Sequence, residues 1–214
     1  MIPIGDDNSS SRTVPIVSYA IIAVNVLVFL VELSGGDAFI MEWAFIPSRF
    51  SANPVGDSTT LFSSMFMHAG WLHLGGNMLY LWIFGDNVED RFGHVSFIIF
   101  YLLSGVAATF VQLAFSLGSD IPSLGASGAI AGVLGAYILM FPQRKVNVLL
   151  GRVVTQMPAL IVLGFWFVLQ FFSGIGSIAV SSETGGVAYM AHIGGFVAGL
   201  VLALFLRNST PRLR

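Results

Sequence analysis

A single hydroxyl opens an otherwise apolar stretch, Gly125-Ala126-Ser127-Gly128-Ala129-Ile130-Ala131-Gly132-Val133-Leu134-Gly135-Ala136-Tyr137. Two roles are open to Ser127 there. It can cap a new helix by accepting a bond from an orphan backbone amide, or it can act as a nucleophile if a base lies within hydrogen-bond reach. Three other polar side chains stand out in apolar surroundings: His73 and Asn77, one helical turn apart, and His192. Polar groups inside a bilayer are costly, which makes them candidates for function. A hydroxyl, two imidazoles and an amide supply what acyl transfer requires: a nucleophile, a proton acceptor and donors for a developing oxyanion. The chain has no cysteine, so disulfides and thiolate metal sites are excluded. No motif calls for a cofactor, a metal ion or a nucleic acid.

The elements that must position these groups follow from composition. Hydrophobic residues make up 56 % of the chain and charged ones 9 %, with a mean hydropathy of +0.85. A soluble domain carries roughly a quarter charged residues. An all-α, polytopic membrane protein of one domain is expected, built of spanning helices rather than a barrel. Six spans are read, at about 14–33, 71–88, 94–116, 126–142, 154–175 and 187–206. Residues 34–60 mix polar groups with Phe39, Trp43, Phe45 and Phe50, the pattern of a structured loop lying in the membrane interface. Residues 1–13 and 207–214 form tails around a 14–206 domain. The acidic start lacks the basic region of a signal peptide, so the first span is expected to stay uncleaved. The net charge of −2 distinguishes no class of partner.

Orientation follows from the basic residues. Of nine Lys and Arg, all but Arg49 fall on one side: Arg12, Arg91, Arg144, Lys145, Arg152, Arg207, Arg212 and Arg214. That side is expected to be cytoplasmic, with both termini on it, in a cell membrane. Spans two, four and six then enter from outside. His192 lies about 8 Å down span six, and His73 a comparable depth down span two. Span four covers only about 24 Å of a ~30 Å core, which recesses Ser127 to the same layer. Span six also carries a stripe of small residues, Ala188, Ala191, Gly195 and Gly199. Set against Gly128 and Gly132, that stripe would let two backbones approach closely and bring His192 to Ser127.

With these motifs in place, the sequence resembles the rhomboid intramembrane serine proteases over about residues 15–206. The resemblance rests on Gly125-Ala126-Ser127-Gly128, Ala191-His192-Ile193-Gly194-Gly195 and His68-Ala69-Gly70-Trp71-Leu72-His73-Leu74-Gly75-Gly76-Asn77. It implies the basic six-span form, with Ser127 as nucleophile and His192 as general base and acid. It further implies an oxyanion hole of His73, Asn77 and the Ser127 amide, and structural roles for His68 and for Gly85-xxx-Glu89-xxx-Gly93. Two family features differ. Trp43 is followed by Ala44 rather than arginine, and Ala131 stands where some relatives stack an aromatic ring on the histidine.

The expected activity is therefore endoproteolysis of single-span membrane proteins by a Ser127–His192 dyad. Span five would form a lateral gate. All eleven acidic residues are placed in tails, loops or span ends, with Glu32 closing span one, so no carboxylate is expected at the depth of His192. The alternative is a catalytically inactive rhomboid-like factor that binds membrane proteins. A transporter is less consistent with the chain, which has no internal repeat.

Overall fold

The computed structural model describes residues 1–9, 11–179 and 188–206. Among the described residues, eight α-helices and three strands, with one short 3-10 turn at Ser64–Phe66, follow one another in the order β1 (Ile2–Asp6), α1 (Ile16–Trp43), α2 (Pro47–Ala52), α3 (Thr60–Ser63), α4 (Trp71–Phe92), α5 (His94–Phe115), α6 (Ser127–Met140), β2 (Lys145–Leu150), β3 (Val153–Pro158), α7 (Ala159–Ala179) and α8 (Tyr189–Leu206). Four of them, α1, α5, α7 and α8, are long and apolar enough to cross a membrane, and α6 is a shorter apolar helix.

The short helix α6 lies at the centre. Every residue from Gly128 to Tyr137 is buried, with α4, α5 and α8 packed around it. Lipid offers no hydrophobic incentive for helices to associate, so contact depends on shape. The α6–α8 contact is backbone against backbone. A β-carbon at Gly195 would lie 2.0 Å from the Gly128 carbonyl oxygen, and one at Gly199 would lie 2.1 Å from that of Gly132. The small-residue stripes therefore face each other as their spacing implied.

The expectation of an all-α chain is corrected by a three-stranded antiparallel sheet in the order β1-β2-β3. Burial alternates along β2, with Val146 and Val148 fully buried against the helical core. Gly151, at φ 60, makes the tight turn between β2 and β3. Span five accordingly begins at Ala159 rather than near Val154, because β-branched Val153 and Val154 pair in the ladder instead of joining the helix. The N-terminal segment, expected as a tail, supplies β1.

Two more boundaries differ. The first helix runs on to Trp43 through a break in helical geometry at Gly36. Glu32 thus sits inside the helix rather than at its end, and it is buried. The segment after α1 turns Phe45, Phe50 and Leu61 inward as a small core of its own, while Met41 and Trp43 remain exposed. Arg49 ties this segment together, pairing with Asp57 at 2.7 Å and donating to the Ala44 carbonyl at 2.7 Å.

At the sheet end, the buried Glu89 carboxylate caps α1. It accepts from the Val17 and Ser18 amides at 2.9 and 2.7 Å, and from His94 Nδ1 at 2.6 Å. An acid at a helix N-terminus is favoured by orphan amides and by the helix dipole. Beside it, Asp6 accepts from Tyr137 and, at 2.9 Å, from Asn87. Of the sequence expectations, Glu183, Val187 and the tail 207–214 with its three arginines lie outside the described residues.

Two outcomes test this packing. Gly199→Val should destabilise the fold by about 3 kcal/mol or more, because backbone cannot yield as a side chain can. Gly164→Ala, where an added carbon meets nothing within 4 Å, should be neutral or stabilising by up to about 1 kcal/mol. Thermal unfolding in detergent separates the two, and equal effects would refute the close-contact account. The second outcome concerns pH. Burial pushes the Asp6 carboxyl up from 3.8 to about 6, against the opposing bond from Tyr137. A group with a raised folded value supports the fold most at low pH and loses that contribution as pH climbs through 6. Asp6→Asn should therefore flatten the stability–pH curve between about pH 4 and 7, and an unchanged slope would count against a desolvated Asp6.

Candidate active site

Three helices begin in one place, and each brings a polar side chain in its first turn. His73 is the third residue of α4, Ser127 the first of α6 and His192 the fourth of α8. First-turn amides have no partner within their own helix, so such a junction is electropositive and rich in donors.

Ser127 does not cap its helix. The cap position is Ala126, which makes no side-chain capping bond. The Ser127 hydroxyl instead lies 2.8 Å from His192 Nε2, the distance at which a serine can pass its proton to an imidazole. His192 is 8 % exposed. Its other ring nitrogen, Nδ1, lies 2.7 Å from Oε1 of Gln170 on α7. The Trp166 ring flanks it at 5.9 Å with an interplanar angle of 35°, and Tyr189 meets it edge-on at 6.5 Å. Among the described residues, the hydrogen-bond partners of His192 are thus a hydroxyl and an amide, with no carboxylate.

His73 faces the same point from α4. Its Nδ1 accepts from the Ala69 amide at 3.3 Å, which leaves Nε2 as the protonated nitrogen. That nitrogen points at Gly125, where φ is +133 and a β-carbon would stand 3.0 Å from His73 Nε2 and 3.6 Å from Ser127 Oγ. Glycine is required there on both counts, since any side chain would fill the space between donor and hydroxyl. Asn77, one turn further along α4, is buried, and its Nδ2 has no hydrogen-bond partner. The structure therefore brings Ser127, His192 and His73 together, while Asn77 follows His73 one turn along α4 as a buried, unpaired donor.

The loop carrying Ser127 is held from the other side. Phe45 and Ser123 exchange backbone bonds at 3.1 and 2.7 Å, and the Gly125 amide donates to the Ser64 carbonyl at 2.8 Å. A cavity of about 30 Å³ lies against Ser127, lined by Ser64, Gly105, Ala108, Thr109 and Ala191 among others. It is large enough for a water molecule. His68 stacks edge-on against His73 at 5.1 Å. Burial pushes the His68 imidazole down to about 4, so it is neutral. Its amide donates to Glu32 at 2.9 Å; this buried carboxylate serves the loop before α4 rather than closing span one.

Sequence reasoning missed Gln170 and Trp166 as neighbours of the histidine. The signal was a glutamine in an apolar segment with a tryptophan one turn earlier, on the same helical face.

Helical fold and site together define a multi-pass membrane protein with a serine–histidine pair at one end of its bundle. The chain belongs to the rhomboid family, whose Rhomboid domain model matches residues 55–209. It is 27 % identical over 201 residues to the yeast (Saccharomyces cerevisiae) "Rhomboid protein 1, mitochondrial", covering 92 % of this chain and 55 % of that protein. It is 32 % identical over 192 residues to "Rhomboid protease GluP" of Bacillus subtilis, covering 89 % and 35 %. The zebrafish (Danio rerio) "Presenilin-associated rhomboid-like protein A, mitochondrial" is 30 % identical over 168 residues, covering 73 % and 40 %. The chain thus spans between about a third and just over half the length of these relatives.

Proposed function

We propose that this chain is an intramembrane serine endopeptidase that cleaves single-span membrane proteins within or beside their transmembrane segment. The observation that carries the reading is the 2.8 Å contact between Ser127 Oγ and His192 Nε2. In this mechanism Ser127 attacks the scissile carbonyl while His192 takes its proton. The imidazolium then protonates the leaving amine, and water hydrolyses the acyl-enzyme with His192 again as base.

The oxyanion forms beside the N-terminus of α6. The Ser127 amide, His73 Nε2–H and Asn77 Nδ2 are its donors; the protonated Nε2 of His73 and the unpaired amide of Asn77 support these roles. Donors already in place in a low-dielectric site require no reorganisation as charge develops. The dyad works without a carboxylate, because a second buried charge would cost several kcal/mol or be lost by protonation.

The rest of the reading concerns the membrane. Residues 14–206 form the protease domain, with α1 and α4 to α8 as six spans of a cell-membrane protein. Both termini face the cytoplasm, as the basic residues favour, so the site opens outward, where water reaches it.

The test is a fluorophosphonate probe on detergent-purified protein, followed by cleavage of a reconstituted single-span substrate. The chain should be labelled and Ser127→Ala should not. His73→Ala or Asn77→Ala should slow turnover by about 10- to 1000-fold while Ser127 remains reactive. A folded protein that neither labels nor cleaves would overturn the protease reading in favour of a rhomboid-like binding factor. Unchanged turnover on losing both His73 and Asn77 would remove them from the oxyanion hole.

A further inference from the structure

The histidine of the pair is held by a helix other than those that bring the pair together. α6 and α8 set the Ser127–His192 distance, but the far side of the ring faces α7, which presents Trp166 and Gln170 one turn apart. We propose that Gln170 is the positioning residue of this site: its amide oxygen accepts the Nδ1 proton of His192 and holds the imidazole in the tautomer whose Nε2 can take the proton of Ser127. The proposal rests on the protease reading above.

The argument is one of donor and acceptor counting. A neutral imidazole carries one N–H. For Ser127 to be activated, its hydroxyl must donate across the 2.8 Å contact, so Nε2 has to be the bare nitrogen. The proton is then on Nδ1, in a buried ring, and needs an acceptor. Gln170 Oε1 lies 2.7 Å from it. Without that acceptor the opposite tautomer becomes favourable; its Nε2–H would donate to the serine, and no base would remain. Soluble enzymes show the cost of the wrong tautomer, about 10⁴ in turnover. The amide also supports the imidazolium, since its oxygen dipole already faces Nδ1, and it does so without burying a charge. Trp166, inclined at 35° to the ring, restricts its rotation.

Because both residues belong to α7, the base is set only while α7 is docked. Outward movement of α7 by about 1 Å lengthens the bond past hydrogen-bonding reach.

The test compares the full chain with Gln170→Leu, which keeps the volume and loses the acceptor, and Gln170→Glu, which keeps an acceptor. Nitrogen-15 NMR of histidine-labelled protein, with His192→Gln to assign the signal, should show Nδ1 protonated and Nε2 bare in the natural chain. Gln170→Leu should lose that state. Its kcat should fall about 10- to 100-fold with KM changed less than about two-fold. Gln170→Glu should restore most of kcat, with the acid limb of the pH–rate profile moved to higher pH, because a carboxylate favours imidazolium. A natural chain protonated on Nε2 would overturn the proposal. So would a Gln170→Leu protein that keeps both tautomer and kcat, or a folded Gln170→Glu protein as impaired as Gln170→Leu. The NMR measurement needs no turnover, so it decides the role of Gln170 even if the protease reading fails; should Gln170→Leu not fold, the natural chain and Gln170→Glu still decide it.

Discussion

The structure depends on how closely α6 and α8 approach. With lipid as solvent, apolar side chains gain little from leaving it for one another, and the helices that stay together are those whose backbones can touch. Gly128 and Gly132 on one helix, with Gly195 and Gly199 on the other, remove the β-carbons where the two backbones meet most closely. The same approach sets the chemistry. Ser127 and His192 sit in the first turns of these two helices, so once the glycines meet, hydroxyl and imidazole come within bonding distance.

The ends of α6 are held by different means. At the Ser127 end the polypeptide is irregular, and buried irregular backbone must find partners. The segment after α1 supplies them, through the Phe45–Ser123 bridge and the Gly125–Ser64 bond. That segment can do so because Phe45, Phe50 and Leu61 give it an apolar core. At the far end, the sheet continues directly from α6. Tyr137 reaches Asp6, and Arg144 reaches Asn87, joining α6 and its exit to β1 and α4. The most buried helix is therefore clamped at both ends.

Helix α7 has another character. Phe165, Val168, Leu169, Phe171, Phe172 and Ile175 are all exposed, the surface a lipid-facing helix presents. It is nonetheless the helix that carries Gln170 and Trp166 to the histidine. Ser127, His73 and Asn77 thus stand on tightly packed elements, while the second contact of His192 belongs to a peripheral one. In the mechanism proposed above, this division lets a helix at the lipid boundary influence proton transfer without disturbing the serine.

Much of the site was legible in the sequence for a physical reason: a polar side chain in an apolar run has few uses, so Ser127, His192, His73 and Asn77 identify themselves. Helical spacing and span direction predicted one layer, and the structure brings Ser127, His192 and His73 together; the glycine stripes indicated which helices touch. Family membership follows from the same motifs. What the sequence could not decide were questions of partner. Val153 and Val154 are as apolar as a span, and only pairing with β2 makes them a strand. Glu32 reads as a helix end until His68 is seen to donate to it. Gln170 is a lone amide until the fold places it 2.7 Å from Nδ1 of His192, a residue 22 positions along the chain and on another helix. Hydropathy and spacing are properties of neighbours in the chain, whereas a hydrogen-bond acceptor acquires its meaning from whichever donor the tertiary structure sets beside it.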